Sequence, residues 1–265
     1  MTSSWTTIEL KSEANIVETL LDLKGKQWLS RGQSKPYGAL VPSIDRLSLS
    51  SLSRPEKLLR ERESIDLFRE TARFFADEGE KGALFDDIVT LMVLRHYDVP
   101  TRLLDWSQSP FVAAYFFACA DDAEDGELWC FDYARYQQKG EEQWRRWPET
   151  TTAGSGHRDD FDAKLTAFLL TDPPDWVVSA FYRPGFPRQN AQSAAFTLTA
   201  RFGRDHAEVL KSLLEDDSKH CRYIIPAGLK PSMRNLLREN HGVWRGALFP
   251  DSAGAAVTAA SAFSR

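Results

Sequence analysis

The sequence predicts a mixed α+β fold. Helical and strand-like patterns alternate along the chain without the regular β-α-β rhythm of a parallel sheet. No glycine-rich phosphate motif follows a predicted strand, which argues against a doubly wound fold. Hydrophobic residues make up 42% of the 265 residues, enough to bury the core of one large domain or of two small ones.

Composition limits the classes of partner. The chain carries 33 basic and 38 acidic residues, which argues against coating nucleic acid by bulk electrostatics, although a local basic cleft stays compatible with this total. The three cysteines, Cys119, Cys130 and Cys221, lack metal-ligand spacing, so we expect reduced thiols and no metal site. The chain has no signal-peptide pattern and no apolar run near the roughly 20 residues of a membrane span. We therefore expect a soluble, cytoplasmic protein without a membrane partner.

The first predicted elements are a helix and a strand. Apolar residues at near-helical spacing predict a helix within residues 1–25, and Gly25 closes it. Residues 27–33 then follow a strand pattern that leads into a turn. The guanidinium of Arg31 suits a carboxylate or a phosphate, and Gly32 permits a close backbone approach. Arg31 is therefore a candidate binding residue, with an ordinary salt bridge at the strand end as the alternative.

Two helices are predicted before the central motif. Ser53 and Pro55 are typical of a helix start, and an apolar stripe with charged residues outside it follows as far as Phe75. A second helix is predicted over residues 86–97. His96 lies at the end of this helix, where the helix dipole favours the protonated imidazole. The alternative is a hydrogen-bonded structural histidine.

The central motif, residues 96–110, places acidic, basic, aromatic and hydroxyl side chains between two apolar patterns. Pro100 blocks continuation of the preceding helix, and residues 101–106 then predict a short strand. Ser107 or Ser109 caps the helix that follows. Because backbone N–H groups at a helix start favour anions, the motif is predicted to form one wall of a binding site.

A structural role for the same motif stays open. Arg102 and Asp105 are close enough in sequence to pair with each other or to satisfy buried backbone groups. Such a polar cluster would pin the loop to the core without contacting any ligand.

The second half of the chain alternates strands and helices. Strands are predicted over residues 127–133, 176–182, 194–200 and 220–226, and helices over 162–170, from 205, over 231–240 and from 251. Residues 141–158 are predicted to form an exposed connection. A polar turn over residues 183–192 carries Arg183 and Arg188 and is a second candidate cluster, with a structural turn as the alternative.

These positions resemble the FRG domain. The resemblance rests on Arg31-Gly32, on His96-Tyr97-x-x-Pro100-Thr101-Arg102-Leu103-Leu104-Asp105-Trp106, and on residues 113–118, 188–196, 225–226 with Lys230, and 248–251. It implies one domain over residues 1–265, with an N-terminal helix over 1–25, a core over 26–250 and a C-terminal helix over 251–265.

Two positions depart from the FRG pattern. The aromatic residue that precedes Arg-Gly in the family is replaced around Leu29-Ser30, which should alter the packing beside the pocket. Ala194 occupies a position where the family has glycine. Its side chain should limit how closely a ligand approaches that strand.

A weaker resemblance to ADP-ribosyltransferases implies a central, largely antiparallel sheet and NAD as cofactor. In that comparison Arg31 and Gly32 hold the pyrophosphate. Ser107 and Ser109 orient the nicotinamide ribose, and Tyr97 or Trp106 stacks on a ring. The remaining candidate residues are Arg102 for the cofactor, Arg183 and Arg188 for the substrate, and His96, Asp105 and Gln192 for catalysis. Gln192 takes the place of the usual catalytic glutamate, a loss of charge for which Asp105 would have to compensate.

Three functions follow as alternatives. The first is ADP-ribosyl transfer or NAD cleavage by an effector of bacterial defence or of a toxin–antitoxin pair, with a protein or nucleic-acid acceptor. The second is a non-catalytic module that binds or senses a nucleotide or nucleic acid through arginines on phosphate. The third is a hydrolase or nuclease in which His96 is the base and Asp105 orients it.

Overall fold

The computed structural model describes residues 5–76, 80–146, 178–180, 186–199 and 201–260. Its strands are β1 (Thr7–Glu9), β2 (Trp28–Gln33), β3 (Leu103–Ser107), β4 (Gly126–Asp132), β5 (Val178–Ala180), β6 (Ala194–Leu198) and β7 (His220–Ile225). They form one sheet in the order β1-β7-β4-β2-β3-β6-β5. The β1–β7 pair is parallel and the other pairs are antiparallel. The predicted mixed α+β class with a largely antiparallel sheet is therefore confirmed.

The helices flank this sheet in chain order. They are α1 (Glu13–Lys24), α2 (Arg54–Ala72), α3 (Asp87–His96), α4 (Pro110–Ala118), α5 (Tyr133–Arg146), α6 (Pro187–Ala191), α7 (His206–Leu214), α8 (Lys230–His241), α9 (Arg245–Leu248) and α10 (Ser252–Ala260). Helix α2 begins at a capping box in which Ser53 and Glu56 bond each other's backbone N–H groups. Helix α4 begins with Pro110 in its first turn, as the sequence predicts.

Helices cover both faces of the sheet. Along β4, Leu128 and Cys130 belong to one core cluster and Trp129 and Phe131 to another, because successive strand residues point to opposite faces. Helices α1, α4 and α8 pack on the first face, and α5 and α7 pack on the second. A third cluster joins α3 to β3 and β6. The core therefore lies in two layers around one sheet.

Several local predictions differ from the structure. Ile8 lies in β1 and the first helix begins only at Glu13, because residues 7–9 form an edge strand that pairs with β7. The predicted exposed connection over 141–158 begins inside a helix, since α5 extends to Arg146. The predicted turn at Arg188 is the helix α6. The strand predicted over 176–182 is described only at residues 178–180, and the helix predicted over 162–170 lies outside the described residues.

Three further observations concern the cysteines, the possible metal ligands and the helices of the described residues. Cys130 and Cys221 are buried opposite each other on β4 and β7, and Cys119 is exposed; all three are free thiols. Nowhere in the described ranges do three potential metal ligands from His, Cys, Asp or Glu come together. Within the same ranges, no helix combines the length and the apolar character that crossing a bilayer requires.

Candidate functional site

The candidate site is a cleft between β2 and β3. These strands pair at Ser30 and Ser107, and the cleft forms where they diverge. Its volume is about 20 Å³, room for one water molecule. The lining residues are Ser30, Arg31, Gly32, Asp105, Trp106, Ser107, Ala113, Phe116, Gln192 and Ala194. The fold thus brings together six of the residues that the sequence singles out: Arg31, Gly32, Asp105, Trp106, Ser107 and Gln192.

Asp105 is held between two arginines. Arg31 Nη1 donates to Asp105 Oδ2 at 2.5 Å and to the Asp105 carbonyl at 2.7 Å, and Arg95 Nε donates to Oδ1 at 2.8 Å. The Asp105 side chain is 38% exposed, whereas that of Arg31 is 9% exposed. Burial raises the pKa of Asp105, but the two guanidinium groups outweigh it and hold this pKa well below its usual range. The carboxylate is therefore ionised at neutral pH.

A third guanidinium adds positive charge. Arg46 donates from Nε to the Val41 carbonyl at 2.7 Å. Burial and the nearby charges of Arg31 and Arg95 lower the pKa of Arg46 to about 10. Buried Arg31 Nε has no hydrogen-bond partner in the part of the chain that the structure describes. Two guanidinium groups thus pair with the Asp105 carboxylate, and the third lies close enough to interact with these charges electrostatically.

Sequence reasoning did not assign a site role to either additional arginine. Arg95 lies in the last turn of α3, one residue before the motif, so its position next to the motif was the available signal. Arg46 lies in a serine-rich loop, where no periodicity or motif indicated a binding role. Its approach to Asp105 depends on how that loop folds against the sheet.

The serine hydroxyls join the strand to the following helix. Ser107 Oγ donates to the Gln192 carbonyl at 2.8 Å and accepts from the Ser109 N–H at 3.0 Å. Ser109 Oγ accepts from the Val112 N–H and caps α4. The Gln192 side chain donates to the Leu248 carbonyl at 3.1 Å. These bonds fix the wall of the cleft opposite Arg31.

Gly32 allows α4 to lie against β2. A Cβ atom at this position would lie 1.9 Å from the Ala113 carbonyl oxygen and 2.7 Å from the Phe117 nitrogen. No side chain can occupy that space without moving the helix. The close approach predicted at Gly32 is therefore made by α4, which closes one side of the cleft.

Arg102 lies away from the cleft and pairs with Glu61 instead of Asp105. Its Nε donates to Glu61 Oε1 at 2.9 Å, and a second contact joins its Nη2 to Oε2. Its guanidinium also lies over the ring of Phe202, 4.6 Å from the centroid. Arg102 is 1% exposed. The alternative in which Arg102 and Asp105 pair with each other is thus replaced by two separate ion-pair networks.

The two aromatic candidates differ in exposure. Trp106 is 3% exposed, and its indole N–H donates to Thr197 Oγ1 at 2.9 Å. Its ring packs against Phe131 in the core, which leaves its face unavailable for stacking. Tyr97 is 53% exposed and its hydroxyl donates to Glu80 Oε1 at 3.0 Å, but it does not line the cleft.

His96 is a buried, neutral histidine. It is 7% exposed and packs edge-to-face against Phe186 and Phe196. Burial, followed by the charge of Arg188, lowers its pKa to about 4. The protonated form expected from the helix dipole is therefore not favoured, because loss of solvation outweighs the dipole. Among the described residues, neither imidazole nitrogen has a hydrogen bond to Asp105.

Of the two predicted substrate arginines, the structure describes Arg188, which does not line the cleft. Arg188 has its guanidinium over Phe249, 4.4 Å from the ring centroid, and its buried Nε lacks a partner among the described residues. Burial lowers the pKa of Arg188. Arg183 lies outside the described residues.

Comparison with known proteins finds a family match for part of the chain. The family model described as the FRG domain matches residues 26–126. This range includes Arg31, Arg95 and Asp105, and it ends before Gln192. No curated protein and no solved structure was found to match the chain. Residues 26–126 therefore match the FRG domain, and this range holds Arg31 and Asp105 of the cleft lining and Arg95, which pairs with Asp105.

Proposed function

We propose that the cleft of this FRG domain binds the phosphate part of a nucleotide. The observation that carries the proposal is the excess of positive charge, since Arg31 and Arg95 pair with the single carboxylate of Asp105 and the charge of Arg46 lies nearby. A guanidinium fork matches two phosphate oxygens, and charge-assisted hydrogen bonds are stronger than neutral ones. The unpartnered Arg31 Nε supplies a further donor.

Binding would require an exchange of partners. The cleft volume of about 20 Å³ is too small for a phosphate group, so Asp105 must release Arg31 as the ligand enters. The carboxylate is 38% exposed and can turn toward solvent, where hydration offsets the lost ion pair. NAD is the specific ligand that the weaker resemblance suggests. Its pyrophosphate would take the position of the Asp105 carboxylate against Arg31.

Binding fits the cleft better than catalysis does. Asp105 is the single carboxylate among the described lining residues, and two arginines neutralise it. It therefore offers little net negative charge to a cationic transition state. The Gln192 amide carries no charge and is engaged with the Leu248 carbonyl. A hydrolase or nuclease pair of His96 and Asp105 lacks the hydrogen bond that such a pair needs.

A thermal-shift titration with pyrophosphate, ADP and NAD tests the proposal. We expect at least one of them to raise the Tm of the wild-type chain, because a ligand that binds only the folded state stabilises it. Arg31→Ala and Arg31→Lys should remove the shift. Arg62→Ala is the matched control, since Arg62 is an exposed arginine paired with Asp87 on the surface. A folded wild-type chain whose Tm none of the three ligands changes would overturn the proposal.

ADP-ribosyl transfer or NAD cleavage is the second candidate. The observation that favours it is that Gln192 lines the same cleft as Arg31 and Ser107. Incubation with NAD followed by assay of free nicotinamide and of modified acceptors tests it. The binding function predicts neither product from the wild-type chain. Nicotinamide release that is lost in Arg31→Lys would replace the binding function with the catalytic one. It would also support the effector role that goes with catalysis.

A further inference from the structure

A larger cavity adjoins the cleft at the end of the sheet. Its volume is about 440 Å³, within the range of roughly 300–1,000 Å³ that small-molecule sites occupy. It lies where β2 begins, β3 ends and α5 starts. Its polar and aromatic lining consists of Lys26, Gln27, Trp28, Gln108, Tyr133 and Gln137.

The lining combines flat rings with primary amides. Trp28 and Tyr133 are half-buried and line the cavity, and Tyr136 stacks on one face of the Tyr133 ring. The side chains of Gln27, Gln108 and Gln137 form no hydrogen bond within the described part of the chain. Each amide offers a donor and an acceptor together. A planar ligand with alternating donors and acceptors at its edge fits this set of groups.

The charge of the cavity favours a neutral ligand. No described residue in the lining is acidic, and the one cation, Lys26, is paired with Asp22 at 2.6 Å. The same ammonium lies over the Trp28 ring, 5.7 Å from its centroid. Nucleobases have this character, since they stack on aromatic rings and are read at their edges by glutamine amides.

The cavity and the cleft meet at consecutive residues. On β2, Leu29 borders the cavity and Ser30 borders the cleft. At the end of β3, Ser107 borders the cleft and Gln108 borders the cavity. Consecutive Cα atoms are about 3.8 Å apart, so neighbouring backbone positions of β2 and of the β3 end border the two spaces.

We propose that the cavity around Trp28, Tyr133, Gln108 and Gln137 is a nucleobase site, adjoining the phosphate-binding cleft. The joint use of both spaces rests on the proposed function, whereas nucleobase binding itself does not. A nucleoside without phosphate should therefore bind on its own. Its base would stack on an aromatic ring and bond the amides.

Titration of the full chain with adenosine, guanosine, cytidine and uridine tests the site, with tryptophan fluorescence and calorimetry as readouts. We expect at least one nucleoside to bind. Gln108→Ala and Gln137→Ala should each weaken it at least threefold, and Trp28→Leu at least fivefold. Gln138→Ala, a neighbouring exposed glutamine outside the cavity lining, should leave the affinity within twofold.

Titration with pyrophosphate distinguishes this proposal from the proposed function. Arg31→Lys should leave nucleoside affinity within twofold and remove pyrophosphate binding. If pyrophosphate binds but none of the four nucleosides does, the nucleobase site is wrong and the proposed function stands. If a nucleoside binds and pyrophosphate does not, the proposed phosphate-binding function is wrong and the nucleobase site stands. Binding of free ribose as tight as that of the nucleosides would also overturn the nucleobase site, because the base would then contribute nothing.

Discussion

Two ion-pair networks begin three residues apart in the central motif and differ in burial. Arg102 pairs with Glu61 and both side chains are almost fully buried, at 1% and 7% exposure. Asp105 pairs with Arg31 and Arg95 but remains 38% exposed. Each buried charge of the first network faces an opposite charge, whereas the second has a surplus of cations and access to solvent. Burial therefore separates the charges that attach the motif to the core from those that can exchange with a ligand.

The buried network explains how α2 attaches to the domain. Lys57 and Glu61, one turn apart, point inward and pair with Asp45 and Arg102 respectively. The ring of Phe202 lies beneath both cations. Although the sequence predicts an apolar stripe as the contact face of α2, buried charges form a large part of this contact. These groups must stay paired, because an isolated buried charge is costly.

The largest expected effect is that of breaking the buried network. Arg102→Ala should lower the free energy of unfolding by about 3–5 kcal/mol, because the Glu61 carboxylate stays buried without its partner. Urea denaturation measures the change. Arg62→Ala, next to Glu61 but exposed, should cost less than about 1 kcal/mol. Equal losses in the two variants would show that the buried pair of Arg102 and Glu61 contributes no more to stability than an exposed ion pair.

The next largest expected effect is the pH dependence of folding stability that His96 causes. Its pKa is about 4 in the folded chain against 6.5 ordinarily, so the unfolded state binds the proton more readily. Stability from this group is complete above pH 6.5 and is lost as the pH falls toward 4. Between pH 7 and pH 5 the wild-type chain should lose about 2 kcal/mol more than His96→Leu. An equal loss of stability between pH 7 and pH 5 in the wild-type chain and in His96→Leu would contradict the neutral state of His96.

Asp105→Asn tests the exposed network. Removing the one negative charge should strengthen pyrophosphate binding about three- to tenfold, since about 1 kcal/mol of opposing electrostatic interaction disappears. Calorimetric titration measures this. A catalytic acid at this position predicts loss of activity instead.

Acid titration of the same variant gives a second readout. The lowered pKa of Asp105 contributes stability above about pH 4, which is lost as the pH falls toward the folded-state pKa. Stability should therefore fall less steeply below pH 4 in Asp105→Asn than in the wild-type chain. An identical acid slope in both proteins would show that the ion pairs of Asp105 do not stabilise the fold.

The smallest expected effect is at Tyr97. Tyr97→Phe removes one exposed hydrogen bond to Glu80 and should change stability by less than about 0.5 kcal/mol. Tyr97→Ala should leave NAD and pyrophosphate affinity within about twofold, since Tyr97 does not line the cleft. A loss above tenfold in NAD affinity alone would assign Tyr97 the stacking role and extend the site beyond the cleft.

Much of the local structure could be predicted from the sequence. The strand at Arg31 and Gly32, the helix that Pro110 opens and the mixed fold class follow from short-range rules about turns, caps and periodicity. Of the site, the residues on the cleft walls could be listed, but not their partners. Arg46 and Arg95 were missed because their positions around Asp105 depend on a loop and a helix that pack there only in the folded chain.

The sequence by itself determined where some of the helices begin, such as those at Ser53 and Pro110, and which motif carries the polar chemistry, because caps, prolines and apolar periodicity act within a few residues. Only the tertiary structure decided that Arg102 is buried with Glu61 while Asp105 stays open to solvent. It also decided that His96 is neutral and that an aromatic, amide-lined cavity adjoins the cleft. Burial and charge pairing depend on residues far apart in the chain, and local sequence rules do not specify them.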